Sequence, residues 1–246
     1  MPLAKVLQAR HPAAVADAGD DVRALVASGR VLVDGAVVLN ERALVDPAAG
    51  VVMVPARSLK GSAKLGSALD SCGLSVDGRV CVDVGASAGG FTSALLDRGA
   101  ARVYAVDVGF GQLEGRLRQD ARVVCLERVN AASLSPLVVD AGGGPVSLVT
   151  VDVSYTPLAV VVPQLTAGLS SVIVDGCVLL ALVKPMFELS LGSLPRDDAS
   201  VDRAVEAAAG GISSAGWSVE RTFPSSLVGN NGAVEAWVLA RWEGTR

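Results

Sequence analysis

The chain has 246 residues, room for one large domain or a medium domain with a small one; 51% of them are hydrophobic and only 19% charged. A formal net charge of −4 excludes a global basic field, so contact with nucleic acid would have to come from a local patch. The longest apolar segment, Val172 to Val183, falls short of the roughly 20 residues of a bilayer helix and carries Asp175 and Gly176, so no membrane partner is expected.

The N-terminus lacks the continuous apolar core of a secretory signal, which predicts a cytoplasmic protein. Cysteines at 72, 81, 125 and 177 show no C-x-x-C spacing and the single histidine is His11. That pattern leaves no metal knuckle and no Ser-His-Asp triad to propose, and the four thiols read as reduced and buried. Oligomeric state is not legible.

Residues 1–56 form a first unit. Ala4 to Arg10 and Asp20 to Ser28 have helical apolar spacing, Gly29 can end the second helix, and Val31 to Val38 reads as a hairpin turning at Asp34-Gly35. A strand over Val51 to Val54 follows. The stretch ALVASGRVLVDGAVVLNERALVDP resembles the S4-like RNA-binding domain, a small α+β module. Through residue 57 the basic residues (Lys5, Arg10, Arg23, Arg30, Arg42, Arg57) are balanced by as many acidic ones, and Asp20 and Asp21 interrupt the expected basic face. Packing or protein contact is therefore an alternative use of this unit.

Residues 57–78 read as a linker and a leading helix, about Ser62 to Cys72, ended by Gly73. From residue 79 to 246 strands alternate with helices. Strands are expected at 80–84, 102–108, 123–126, 146–151 and 176–183, with a final pair at 217–222 and 233–241 and a helix over 201–215. The alternation predicts an α/β domain with a doubly wound, mainly parallel sheet.

The first of these strands runs into Asp83-Val-Gly85-Ala-Ser87-Ala-Gly89-Gly90-Phe91. A strand, glycine turn and helix in this order let backbone N–H groups approach a nucleotide-like ligand. There is no G-x-G-x-x-G, so a nicotinamide fingerprint is absent. The D-x-G-x-x-x-G-G-F form resembles motif I of Rossmann-like class I methyltransferases that use S-adenosylmethionine. Cofactor contacts are expected from Asp83, Gly85, Ser87, Gly89, Gly90 and Phe91, from Asp107 on ribose and from Asn130 near the adenine. Asp107, ending the second strand, would suit either class of cofactor.

Four charged residues far apart in sequence complete the pattern: Lys64 on the leading helix, Asp152 and Lys184 ending strands, and Glu235 opening the last pair. The carboxyl ends of strands converge on one rim, and charges there have few packing reasons to exist. Ordinary surface ion pairs are the bland alternative. With them, the segments KGSAKLGSALD, VDVSYTPL, LVKPMFE and GAVEAWVL resemble the hemolysin-TlyA family, which joins an S4-like domain to an FtsJ-type domain that methylates ribose 2′-hydroxyls of ribosomal RNA. The family's K-D-K-E tetrad falls on Lys64, Asp152, Lys184 and Glu235. The resemblance implies Lys184 as base, with Lys64 beside it and the carboxylates orienting both.

Two departures bear on the substrate. Met186 stands where the family has glutamine, and Asp197-Asp198 would repel a phosphate backbone. A binding or regulatory protein without turnover, and an O-methyltransferase for small molecules, are the competing readings.

Overall fold

The computed structural model describes residues 1–17, 21–27, 31–38, 40–53, 60–134, 144–195 and 197–244. The chain divides into two compact units, Met1–Ser58 with Glu114–Gln119, and Leu59–Leu113 with Asp120–Arg246.

Among the described residues, the first unit has three short helices, α1 (Leu3–Arg10), α2 (Pro12–Asp17) and α3 (Val22–Ala27). They accompany an antiparallel sheet of β1 (Val31–Val33), β2 (Ala36–Val37) and β3 (Val51–Met53), in the order β2-β1-β3. The hairpin turns at Asp34 and Gly35, whose φ values of 49° and 83° give the left-handed pair that matches strand twist. Leu3, Val6, Leu7, Leu25, Val26 and Val31 share a small core. Helix α2 was not expected: Val15 is its one fully buried apolar residue, too little to show a period. The expected helix end at Gly29, Val54 and the linker ahead of Lys60 lie outside the described residues.

The second unit begins with α4 (Lys60–Cys72) and continues through β4 (Val80–Val84), α5 (Gly90–Asp97) and β5 (Arg102–Asp107). After α6 (Gly115–Arg118), which clusters with the first unit, come β6 (Val123–Glu127), β7 (Val146–Val151), α7 (Leu158–Leu169) and β8 (Ile173–Val183). The chain closes with α8 (Pro185–Glu188), α9 (Asp198–Ser214), β9 (Trp217–Pro224) and β10 (Ala236–Trp242). Among the described residues, seven strands form one sheet in the order β6-β5-β4-β7-β8-β10-β9. The first five are parallel, and β10 runs antiparallel to both neighbours. All five residues of β4 are buried, as a central parallel strand covered on both faces requires.

Strand β8 and helix α7 are among the elements that depart from expectation. Strand β8 starts at Ile173 rather than 176, because its register against β7 shifts through a bulge that includes Gly176 at φ 76°. Helix α7 buries Leu158, Val161, Val162, Leu165 and Leu169, a helical period that the internal Pro163 concealed in the sequence.

The chain leaves β4 toward β5 on one side, while β7 lies on the other and leads to β8. The carboxyl ends of β4 and β7 therefore flank the topological switch point, where such sheets open a crevice.

Candidate active site

Gly85 and Ala86 both donate their N–H groups to Val106 O, at 2.8 and 3.1 Å, so the turn folds over the end of β5. Gly85 has φ +85°, and a Cβ there would lie 2.2 Å from the carbonyl oxygen of Asp152. Only glycine meets both demands. Ser87 donates from its backbone N to Asp107 Oδ2 at 2.8 Å and from its hydroxyl to Gln112 Oε1 at 3.0 Å. Gly109 N donates to Asp107 Oδ1 at 2.7 Å, which fixes the carboxylate at the strand end. Gly111 N donates to Glu127 Oε2 and Gln112 N to Glu127 Oε1, holding the loop that presents Gln112.

Beside this turn lies a cleft of about 540 Å³. Gly85, Ser87, Asp107, Asn130 and Asp152 line it, and so does Gln112, which sequence reasoning missed. Val129, Val160 and Val161 supply an apolar wall. Asn130 also caps the turn that follows it, its Oδ1 accepting from Ala132 N at 3.0 Å.

Asp83, Gly89, Gly90 and Phe91, also expected as cofactor contacts, are not among the residues that line this cleft. Asp83 points inward from β4 and is fully buried, accepting from Thr92 Oγ1 at 2.7 Å and Thr150 Oγ1 at 3.0 Å. Burial pushes its carboxyl up to about 6; the two threonine hydrogen bonds oppose that rise and the nearby Asp152 charge adds to it. Gly89, at φ +98°, donates its N–H to Ala86 O within the turn. Gly90 faces Gly61 of α4, and Phe91 stacks on Trp237 with ring centroids 5.7 Å apart.

The four charged residues resolve into two pairs. Lys184 Nζ lies 2.6 Å from Asp152 Oδ1 and donates to Ser154 Oγ at 3.1 Å. The Asp152 contact is an ion pair off the hydrogen-bonding direction, since Oδ1 receives no aligned donor. Lys64 Nζ donates to Glu235 Oε2, with side chains only 11% and 5% exposed. Lys184 and Glu235 line a second pocket of about 460 Å³, together with Met186 and Phe187. Ser154 and Tyr155 line both cavities, so the Asp152–Lys184 pair spans the boundary between them.

The loop after Asp152 is held from α8. Both Glu188 carboxylate oxygens accept from Leu158 N, at 2.9 and 3.1 Å. Burial raises Glu188 to about 7, and that backbone bond resists the rise. Tyr155 is 86% exposed with φ +70° and lies 5.0 Å from the Phe187 ring. The acid pair at 197 and 198 has a folding role: Asp197 caps α9, its Oδ1 accepting from Ser200 N at 2.8 Å. Among the described residues no group of His, Cys, Asp or Glu is placed to hold a metal ion, and no helix is long and apolar enough to cross a membrane.

Five parallel strands with an antiparallel pair at one edge, a glycine turn at the switch point and a strand-end carboxylate define a Rossmann-like methyltransferase fold. Aeropyrum pernix fibrillarin, solved with natively bound S-adenosyl-L-methionine, shares that fold at a TM-score of 0.50 and 17% identity, over 74% of this chain and 76% of that one. Residues 57–241 match the family described as FtsJ-like methyltransferase. The 16S/23S rRNA (cytidine-2′-O)-methyltransferase TlyA of Mycobacterium tuberculosis is 39% identical over 231 residues, 90% of this chain and 84% of that protein. Hemolysin A of Brachyspira hyodysenteriae is 31% identical over 221 residues, 86% and 88% of the two chains. A hemolysin-named structure from Streptococcus thermophilus aligns with a TM-score of 0.69 at 31% identity, covering 92% of this chain and 83% of that one. The chain belongs to the hemolysin-TlyA family of FtsJ-like methyltransferases.

Proposed function

We propose that this protein transfers a methyl group from S-adenosylmethionine to a ribose 2′-hydroxyl of ribosomal RNA. The observation that carries the reading is the Asp152–Lys184 pair, whose carboxylate borders the cleft at the glycine turn and whose amine borders the second pocket. A donor in the one and an acceptor in the other would meet at that pair.

The cleft suits the cofactor chemically. The bare backbone at Gly85 admits a ligand at van der Waals distance, Asp107 keeps lone pairs free for ribose hydroxyls beyond the two it spends on backbone N–H groups, and the valine wall matches a purine face. Asn130 lines the same cleft and offers an amide to the base edge. When bound, S-adenosylmethionine supplies a methyl group activated by its sulfonium. Once it has given up its own proton to solvent, the Lys184 amine is the group positioned to take the acceptor's proton, and Asp152 and Ser154 aim it. Glu235 lines the acceptor pocket and can accept from a ribose hydroxyl, and Lys64, which donates to it, fixes its carboxylate. Most of the rate gain then comes from alignment of the acceptor oxygen.

The exposed Tyr155 and neighbouring Phe187 offer an aromatic face beside the pocket, suited to a base drawn out of its stack. The TlyA relative is named for methylating cytidines of 16S and 23S rRNA, which supports the substrate class. Residues 1–56, helices on a small antiparallel sheet, we read as the S4-like module that contacts the RNA, with 79–246 as the catalytic domain and 57–78 as linker and leading helix. Such a substrate would place the protein in the cytoplasm. Incubation with tritiated S-adenosylmethionine and ribosomal subunits is the test: label should enter rRNA as 2′-O-methylribose and vanish with Lys184→Ala. Label in small metabolites instead, or no turnover beside intact cofactor binding, would overturn it.

A further inference from the structure

Gly90 and Phe91 belong to the glycine motif but are not among the residues lining the cleft, and they touch α4, which carries Lys64, and Trp237, two residues after Glu235. Gly90 opens α5 against α4: a Cβ on Gly90 would lie 2.9 Å from Gly61 Cα and 3.2 Å from Gly61 C and Ser62 N. In the other direction, a Cβ on Gly61 would lie 3.3 Å from Gly90 Cα and 3.4 Å from Phe91 Cδ1. Gly61 is three residues before Lys64, so the two share a face of α4. Next along α5, Phe91 is 4% exposed and stacks on Trp237, 1% exposed, at an interplanar angle of 29°. Trp237, the second residue of β10, is two residues after Glu235.

One helical turn thus grips the helix of Lys64 by a glycine–glycine contact and the strand that follows Glu235 by an aromatic stack. Both grips begin where the cofactor turn ends. We propose that Gly90, with Gly61, and Phe91, with Trp237, are positioning residues for the Lys64–Glu235 pair, so that the last two motif residues serve alignment of the acceptor. The inference rests on the reading that this pair takes part in methyl transfer.

The contact makes a specific demand on substitution. The φ of Gly90 is ordinary for a helix, so alanine is acceptable there on backbone grounds and improves helix propensity. What an added methyl meets is the backbone of α4, which has to move as a rigid element. Displacing a reacting group by about 1 Å costs on the order of 100-fold in rate. Gly61→Ala meets looser contacts and should move α4 less.

The experiment compares Gly90→Ala and Gly61→Ala with the unmodified protein in three measurements: cofactor Kd by calorimetry, kcat and KM for labelling of ribosomal subunits, and a crystal structure of each variant. The expected result is a cofactor Kd within about twofold of the parent and kcat lowered roughly 10- to 100-fold for Gly90→Ala. A smaller loss is expected for Gly61→Ala, with Lys64 Nζ drawn away from Glu235 in both structures. Because a merely structural role would lower the folded fraction without splitting kcat from Kd, rates are normalised to folded protein from melting curves. Cofactor Kd weakened as much as kcat is reduced would overturn the proposal, and so would an intact Lys64–Glu235 pair in the Gly90→Ala crystal. Glu235→Gln and Lys184→Ala are the controls for the underlying reading. If both leave labelling unchanged, the catalytic reading fails; if both abolish it while Gly90→Ala keeps full kcat, only the positioning proposal fails.

Discussion

Gly85 at the end of β4 lies so close to Asp152 after β7 that a Cβ on the first would stand 2.2 Å from the carbonyl oxygen of the second. The same two segments are tied by the Asp152 N–H, which donates to Val84 O at 2.9 Å. The glycine of the cofactor turn and the aspartate of the proposed catalytic pair are therefore neighbours through backbone alone. Gly85→Ala would place a side chain at φ +85°, costing about 1–2 kcal/mol before any clash. The carbonyl of Asp152 would have to move as well. We expect Tm to fall by several degrees and both cofactor affinity and turnover to drop, read by calorimetry and the labelling assay.

The two lysine pairs should respond differently to truncation. Lys184→Ala leaves Asp152 24% exposed and able to meet water, so Tm should change little while kcat falls by about 10²–10⁴. Lys64→Ala leaves Glu235, 5% exposed, as a buried carboxylate without its partner, a change that costs on the order of 3–5 kcal/mol. Paired melting curves and turnover numbers separate them. Equal losses of stability in both variants would contradict the burial difference.

Asp83 ties stability to pH. Its folded carboxyl sits at about 6 against an ordinary 3.8, so between those values the folded state holds a proton that the unfolded chain has released. This contribution is fully present below about pH 3.8 and is lost as pH rises through 6. A shift of roughly two units corresponds to about 3 kcal/mol. Glu188, raised to about 7, acts with the same sign at slightly higher pH, while the lowered Asp120 and Asp197 act oppositely. The difference between the parent and Asp83→Asn isolates the effect: the variant, still able to bond both threonines, should gain stability relative to the parent by up to about 3 kcal/mol from pH 3.5 to 7, in urea unfolding series.

Much of this site was legible in the sequence, for reasons that also mark where legibility stopped. Asp107, Asp152 and Lys184 stood out because each is a charge ending an apolar strand, and strand ends converge in a parallel sheet. Which lysine meets which carboxylate was not legible, because the Lys64 contact depends on how α4 docks against α5 through Gly61 and Gly90. Spacing likewise does not tell the two sides of a turn apart. Gly85 and Gly90 are both motif glycines, yet one borders the cleft and the other faces a helix. Pro163 hid α7, and the bulge at Gly176 hid the first residues of β8. Nothing in a sequence says that a tyrosine following a strand will be exposed rather than packed, so the exposure of Tyr155 is visible only in the structure.

Tyr155 combines 86% exposure with a positive φ of 70°, a backbone conformation that disfavours a bulky side chain. Its ring contacts Phe187 but is not enclosed, so packing offers little compensation for the strain. Strain of this kind, on the order of 1–3 kcal/mol, persists where it serves a site. Tyr155→Gly relieves the backbone and should raise stability by up to about 1 kcal/mol, the chain entropy of glycine offsetting part of the gain. If the ring is a face for the acceptor base, the same variant should lose labelling of ribosomal subunits by roughly 10-fold or more, since stacking on an aromatic ring contributes about 1–3 kcal/mol per base. Tyr155→Phe should retain most activity, as the stacking face survives without the hydroxyl. Stability rising while turnover falls is the combination to look for; a loss of both would mean that Tyr155 serves the loop and not the substrate.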